Sequence, residues 1–382
     1  MDSDREPLGV VVVYNVTEHL VKGDAKDILA EWPVIACAQA VSDALQAAGY
    51  RVAQVPIRTE LELSLAPYPP TDWLVFNLGE GLEGRLFEEA RIAWALEAMG
   101  YRFTGARGDA IAVSVQKARA KALLAASGIA TPPWWVFRHP DDVDRGVVEW
   151  VPFPLIVKPV AEDASLGVGP EAVVSTPCAL RDRVSYIVEH YRQAALAEAF
   201  IVGREFNVGL WGDPLEILPL AEVDFSAFAE PYSHIVSFAA KWDASSFEYH
   251  HTPVLCPAPV VSELGACIAA TARQAWAAIG CRDYARVDMR VSAEGIPYVI
   301  EVNCNPDLSP DAGFYRAARA AGYDFREMVV HILNLALRQP EVYDPESFNY
   351  PWSVHFATDR RHRYLQRNGN KLRRRAVERI SG

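Results

Sequence analysis

The 382-residue chain is 51% hydrophobic and 23% charged with a formal net charge of −12, the composition of a soluble globular enzyme of two or three domains. Such acidity argues against a whole-protein nucleic-acid binder, although local lysines can still hold an anionic nucleotide. The six cysteines (Cys37, Cys178, Cys256, Cys267, Cys281 and Cys304) form no Cys-x-x-Cys pair or zinc-like spacing, and they read as reduced thiols. Met1 to Pro7 is acidic and lacks an export pattern, and no uninterrupted apolar run is expected to span a bilayer. The expectation is a cytoplasmic protein with no membrane segment and no nucleic-acid partner.

Leu8 to Tyr14 reads as a buried parallel strand, Trp32 to Ala48 as a helix, and Arg51–Val55 and Trp73–Asn77 as further strands. A glycine loop with Gly79, Gly81 and Gly84 precedes the helix Arg85 to Met99. Strands alternating with helices imply an open α/β domain with its ligand crevice at the carboxyl ends of the strands. Ala110 to Gly128 reads as one helix carrying Lys117 and Lys121. A surface position is the plain reading for Lys117 taken alone. Phe153 to Pro159 is a short apolar strand ending on Lys158. The loop Val160 to Gly169 follows, then the strand Ala172 to Ser175 and a helix near Leu180 to Tyr191. Ala197 to Ile201 returns as a strand, turns at Val202-Gly-Arg204 and continues to Leu210. Ile217–Val223 is a strand, Asp224–Pro257 irregular and Val261–Ile279 a helix. Asp311–Ala321 and Phe325–Leu337 are helices, and Asp344–Gly382 turns strongly basic. That tail is expected to pack partly through Leu365, Leu372, Ala376 and Ile380 against an acidic body.

Between these helices, Tyr284 to Asp307 reads as two strands joined at Ser292-Ala-Glu-Gly295. Period-two alternation puts Arg286 and Asp288 on one face of the first strand, and Glu301 and Asn303 on one face of the second. Two carboxylates and a carboxamide oxygen then converge, a hard all-oxygen set suited to Mg²⁺. An edge hairpin with a solvated polar face is the plain alternative.

Taken in order, the segments resemble the ATP-grasp fold of the D-alanine–D-alanine ligase family, from about Val10 to about Phe325. The motifs carrying the resemblance are Phe103-Thr-Gly105 with Ser114-Val-Gln-Lys117, Pro154-Leu-Ile-Val-Lys158-Pro, Glu198 to Phe206, Arg286-Val-Asp288 and Glu301-Val-Asn303. The fold implied is α/β and α+β multidomain, an ATP-grasp fold with an N-terminal open parallel α/β domain. Residues 1–107 would form the substrate domain and 108–203 the central subdomain with its phosphate flap. Residues 204–345 would carry the metal site and 346–382 a basic extension.

The resemblance implies ATP and two Mg²⁺ ions as cofactors, with Mn²⁺ as a substitute, and small-molecule carboxylate and amine substrates. Dimerisation, common in the family, is an open expectation for a homodimer. By the same resemblance Lys117 and Lys158 hold phosphates, with Lys241 as a further phosphate contact. The Glu162 to Gly169 loop, including Ser165, is the flap. Glu198 with the backbone of Ala199 to Ile201 binds adenine, and Glu205 binds ribose. Asp288, Glu301 and Asn303 bind the metals, with Glu301 bridging, and Arg286 neutralises an acyl phosphate. Catalysis would rest on Arg286, Lys241 and Lys158.

The chain departs from the family around its substrates. Ala164 stands at the flap serine and Trp242 at the tyrosine, with Glu18 a stand-in for the N-terminal glutamate. Cys304 to Gly313 replaces the glycine and serine-leucine pair that hold the second substrate's carboxylate. A carbon–nitrogen ligase with substrates other than two D-alanines is therefore expected. A non-catalytic nucleotide-binding module and a D-alanine–D-alanine ligase proper stay open as alternatives.

Overall fold

The computed structural model describes residues 8–17, 20, 22–30, 33–58, 60–81, 88–144 and 151–339. Glu18, Gly84 and the basic tail lie outside these residues, so the expectations resting on them do too.

The first sheet is parallel, in the order β2 (Arg51–Ile57), β1 (Gly9–Asn15), β3 (Trp73–Leu78). Every residue of β1 is buried. Val11 and Val13 enter one apolar cluster, while Val10, Val12 and Tyr14 enter another. Burial on both faces is why this strand reads as a continuous apolar run. The helix Glu88–Ala98 supplies Ile92, Ala93 and Leu96 to one face. Helices Pro33–Ala47 and Phe325–Leu337 cover the other, so the last described helix returns to the first sheet. Ala25–Ala47 is long and apolar enough to cross a membrane by length and composition only, although Lys26, Asp27, Glu31 and Asp43 interrupt it. Within it, Val34, Cys37, Ala38, Val41 and Leu45 are buried against this sheet.

The second sheet is antiparallel, ordered β4 (Trp134–Phe137), β7 (Ala195–Ala199), β5 (Leu155–Pro159), β6 (Val173–Val174). Its inner face, including Leu155, Val157, Ala195 and Ala197, packs on Leu180, Val184 and Ile187 of the helix Pro177–Tyr191. The alternating residues Ile156, Lys158 and Glu198 line a cavity.

The third sheet runs β11 (Val254–Leu255), β10 (Ala221–Val223), β8 (Gly203–Trp211), β12 (Tyr284–Ser292), β13 (Pro297–Asn303), with β9 (Glu216–Ile217) paired to β8. Phe206, Val208, Val287, Met289, Val299 and Val302 share a core with Ile268, Ala272 and Ala275 of the helix Ser262–Ile279. The opposite face of β8, β12 and β13 looks into the same cavity.

Several expectations are corrected. The helix expected over Ala110 to Gly128 is two, Gly108–Ser114 and Lys117–Ala126, because the Lys117 backbone N–H donates to Val160 O at 3.1 Å. The strand expected over Ile217–Val223 is split, with Leu218 to Leu220 outside any strand. Of Ala172 to Ser175 only Val173–Val174 is strand. The stretch expected to be irregular holds short helices at Phe238–Trp242 and Phe247–His251. The strands β7 and β8, read as one strand-turn-strand unit, belong to different sheets. The β12–β13 hairpin does lie at the sheet edge, with β13 outermost, but its polar face is not a solvated one: Asp288 is buried and Arg286, Glu301 and Asn303 line the cavity.

Candidate active site

The second and third sheets face each other across a cavity of about 840 Å³, large enough for a cofactor-sized ligand. On the third sheet, register sets Arg286 opposite Asn303 and Asp288 opposite both Glu301 and Asn207. A bulge makes this arrangement: Asp288 pairs with Glu301 but Met289 pairs with Val299, leaving Ile300 as the extra residue. Val299 thus stays in the core while Glu301 reaches the cavity.

The Asp288 carboxylate accepts two bonds from Arg286 Nε and Nη2, both at 2.8 Å. It also accepts from Asn207 Nδ2 at 2.9 Å and Asn303 Nδ2 at 3.2 Å. Asn303 Nδ2 also lies 3.4 Å from Glu301 Oε1. Burial would raise the Glu301 carboxyl, but Lys117, Lys158, Lys241 and Arg286 hold it well below the usual carboxylate range. Arg286 is pushed up, with burial opposing and Asp288 driving the shift.

The cations come from three other elements. Lys117 opens the helix Lys117–Ala126 and is only 4% exposed, so its plain surface reading fails. Its ammonium lies 2.6 Å from Asp163 and 3.1 Å from Glu301. Burial opposes that charge, yet the two carboxylates raise the lysine above its ordinary range. Lys158, at the end of β5, meets Glu198 of β7 at 3.1 Å, and Lys121 reaches the same carboxylate at 2.9 Å. Burial works against the Glu198 charge, but the two lysines lower its carboxyl overall. Lys241 lines the cavity from the helix Phe238–Trp242; burial, then Arg286, lowers its ammonium.

The structure thus brings Lys117, Lys158, Lys241, Arg286, Asp288, Glu301 and Asn303 around one space. Ala199, Phe200 and Ile201 line the same cavity, with Glu205 3.9 Å from Arg290 Nε. Arg290 also stacks over Phe200 at 4.7 Å. Glu198, expected at the adenine, has its carboxylate taken by the two lysines. Glu162 lines the cavity but pairs with Lys22 and Gln193.

The loop from Val160 to Gly169 is tied across the cavity to the segment before and within Phe238–Trp242. Ser165 Oγ donates to Val236 O at 2.8 Å, Trp242 Nε1 to Ala164 O at 2.9 Å, and Phe238 N to Val168 O at 2.8 Å. Ala164 and Ser165 both sit at positive φ, 55° and 60°, where side chains are disfavoured. Two of the positions that depart from the family pattern, Ala164 and Trp242, therefore touch each other.

Sequence reasoning gave no role to Lys121, Asp163, Asn207 or Arg290. Lys121 lay four residues after Lys117 on one helix face, and Arg290 continued the alternation of Arg286 and Asp288. Asp163 and Asn207 carried no comparable signal.

The D-ala D-ala ligase C-terminus family model matches residues 123–334. An uncharacterised Sinorhizobium fredii protein, y4sG, is 32% identical over 315 residues, covering 81% of this chain and 89% of that protein. The D-alanine–D-alanine ligase of Methylococcus capsulatus is 33% identical over 260 residues, covering 68% and 77% respectively. In structure, the ATP-complexed D-alanine–D-alanine ligase of Bacillus anthracis superposes with a TM-score of 0.68. It is 21% identical and covers 87% of this chain and 98% of that one. The VanG D-Ala:D-Ser ligase of Enterococcus faecalis gives 0.66 at 19% identity, covering 87% and 100%. At these identities the structural likeness speaks for the fold, which is ATP-grasp.

Proposed function

Because the chain belongs to the D-alanine–D-alanine ligase-like ATP-grasp family, we propose that it joins a small carboxylate to an amine at the expense of ATP, with substrates other than two D-alanines. The observation that carries this reading is the set of four cations, Lys117, Lys158, Lys241 and Arg286, whose field acts on Glu301 in a cavity walled by two sheets.

The donor set fits Mg²⁺. Asp288, Glu301 and Asn303 are hard oxygen donors in register, and Glu301 is held ionised. Among the described residues no group of three or more His, Cys, Asp or Glu side chains could hold a metal by itself. An ion held by Asp288, Glu301 and Asn303 would have to complete its shell with phosphate and water. Bound there, Mg²⁺ would supply charge neutralisation between the phosphates.

A carboxylate is a poor electrophile, and transfer of the γ-phosphoryl group of ATP converts it to an acyl phosphate with a competent leaving group. Lys117 and Lys158 hold the phosphates in line, and Lys241 and Arg286 stabilise the charge that spreads during transfer. An amine then attacks the acyl carbon, and phosphate leaves beside Arg286. The flap, tied down by Trp242 and Ser165, excludes the water that would hydrolyse the intermediate.

Two features support altered substrates. The Trp242 indole bonds to the flap backbone at Ala164 instead of leaving a side-chain hydroxyl there for a ligand. Glu80, Glu89, Asp307 and Asp311 also line the cavity. Burial, then Asp163 and Glu80, push the Glu89 carboxyl well above its usual range, which favours its neutral form and leaves the negative charge of this wall to Glu80, Asp307 and Asp311. An amine that brings positive charge suits that wall better than one bearing a second carboxylate.

The test is ADP release by purified protein with amino acids offered singly and in pairs with neutral, acidic and cationic amines, followed by mass analysis of the product. The proposal fails if no pool elicits ADP, or if Asp288→Asn and Glu301→Gln turn over like the parent. Tight ATP binding without phosphoryl transfer would favour a regulatory nucleotide-binding module.

A further inference from the structure

Two cysteines that neither the fold nor the proposed chemistry requires lie with their sulfur atoms 3.5 Å apart: Cys281 and Cys304. Both are free thiols. They come together because the helix Ser262–Ile279 ends at a left-handed Gly280, delivering Cys281 beside the residue that follows β13. A disulfide needs the sulfurs at about 2.05 Å, so closure asks for a movement of roughly 1.5 Å.

Both sides are held by their neighbours. Cys281 N bonds to Trp276 O at 3.1 Å. Its neighbours Arg282 and Asp283 clamp Gly105, with Arg282 Nε donating to Gly105 O at 2.8 Å and Gly105 N donating to Asp283 at 2.9 Å. Cys304 directly follows Asn303 and borders the cavity, but it is only 2% exposed, so a small oxidant meets its sulfur when local opening bares it. On the other side Asn303 Nδ2 donates to Asp288 at 3.2 Å and Tyr284 Oη donates to Asn305 at 2.8 Å, so closure that draws on Cys304 pulls against the Asn303 contacts.

We propose that Cys281 and Cys304 form an oxidation site, in which a peroxide joins them as a disulfide that displaces Asn303 and weakens binding of the metal-loaded nucleotide. The second half of this proposal rests on the ligase reading of Asn303; the disulfide itself does not. In the first step the Cys304 sulfur attacks one peroxide oxygen, the O–O bond breaks, and a sulfenic acid and water result. Cys281 then attacks the sulfenic sulfur, the S–O bond breaks, and the hydroxyl leaves as a second water. Two thiols are oxidised and one peroxide is reduced. Burial holds the Cys281 thiol well above its ordinary range, so the pair calls for excess peroxide and oxidises slowly.

The experiment treats the full-length protein with hydrogen peroxide, removes the excess, and splits the sample. One part is digested without reductant for mass spectrometry, and the other is titrated with MgATP before and after dithiothreitol. A peptide linking Cys281 to Cys304, lighter by two hydrogens, is expected. MgATP affinity should be about tenfold weaker, a typical coupling between sites, and restored by reduction. Cys281→Ser should bind MgATP like the reduced parent before peroxide and give no linked peptide after it. Oxidation of the exposed Cys178 and Cys267 with no Cys281–Cys304 peptide would overturn the site. A cross-link with unchanged MgATP affinity would overturn the coupling to Asn303. Failure of the reduced parent to bind MgATP would instead sink the ligase reading, with the linked peptide still deciding whether the disulfide forms.

Discussion

Removing one indole hydrogen bond should loosen the flap by a measurable amount. Trp242→Phe keeps an aromatic ring but deletes the Nε1 donor to Ala164 O at 2.9 Å. Two neutral ties then remain, Ser165 Oγ to Val236 O and Phe238 N to Val168 O, each at 2.8 Å. The Asp163 side chain is 48% exposed, so its pair with Lys117 is discounted for solvent screening. A neutral hydrogen bond contributes about 1 kcal/mol net, so the three ties to Val236, Phe238 and Trp242 hold the loop by roughly 3 kcal/mol and the variant's two by roughly 2. The bonds of Glu162 to Lys22 and Gln193 and of Arg183 to Gly167 O are common to both. One kcal/mol is about a fivefold change in the ratio of open to tied loop. Cleavage of a transiently opened segment tracks that population when reclosing is fast. Thermolysin, which cuts before apolar residues such as Leu166, should therefore nick Trp242→Phe about five times faster than the parent. Ser165→Ala should behave similarly, and the double variant should be about 25-fold faster if opening breaks every tie at once. Equal nicking rates in parent and Trp242→Phe, with both proteins folded by circular dichroism, would refute the reasoning. ADP release without amine should rise in step, because an untied flap admits water.

Lys158→Met should cut ADP release about 100- to 1,000-fold, the cost of losing one positioned charge stabiliser; Glu198 keeps Lys121 as a partner, so thermal melting should still show a folded protein. Lys121 provides a pH signature. Burial pushes its pKa down to about 8 from 10.5. Below about 8 it is charged in both states; between about 8 and 10.5 only the unfolded chain keeps the proton, so stability rises with pH across that window. Denaturant melts from pH 7.5 to 10 should show the parent gaining stability relative to Lys121→Met, by up to roughly 3 kcal/mol; a constant difference would argue that Lys121 does not titrate there. Gly203→Ala would place a Cβ 1.9 Å from Val291 O, where β8 and β12 pair. A loss of about 3 kcal/mol in urea unfolding is expected from overpacking, and a parent-like midpoint would contradict that strand register.

The sequence made the site's donors legible but hid the geometry that aims them. Alternation tells which side of a strand a residue occupies, and it placed Asp288 with Arg286 correctly because β12 is regular there. It worked for Glu301 and Asn303 only because both lie beyond the bulge at Ile300; Val299 shares their parity and yet is core. Alternation also cannot say which sheet a strand joins, so β7 and β8 read as one strand-turn-strand unit, whereas the turn between them carries the chain from one wall of the cavity to the other. The break before Lys117 had no local signal, since Val115 and Gln116 neither forbid a helix nor cap one. A long-range bond to Val160 O decides it. Burial of Lys117 and Lys121 is likewise tertiary, since a lysine-bearing helix face reads as solvated until carboxylates from other elements meet it.

Those carboxylates bear on how the proposed nucleotide site would load. Lys117 is shared between Asp163 and Glu301, and Lys158 is paired with Glu198. A bare triphosphate must therefore compete with carboxylates already in place, and its own charge repels Glu301 and Asp288. A triphosphate carrying divalent cations meets a different site. Glu301 can exchange the Lys117 ammonium for a metal, Lys117 can exchange Glu301 for a phosphate oxygen, and no buried charge is left unpaired at either end. Pairing of this kind makes metal and nucleotide favour each other's binding. In the proposed loading, the residues that lower the Glu301 carboxyl in the protein alone would become the phosphate ligands.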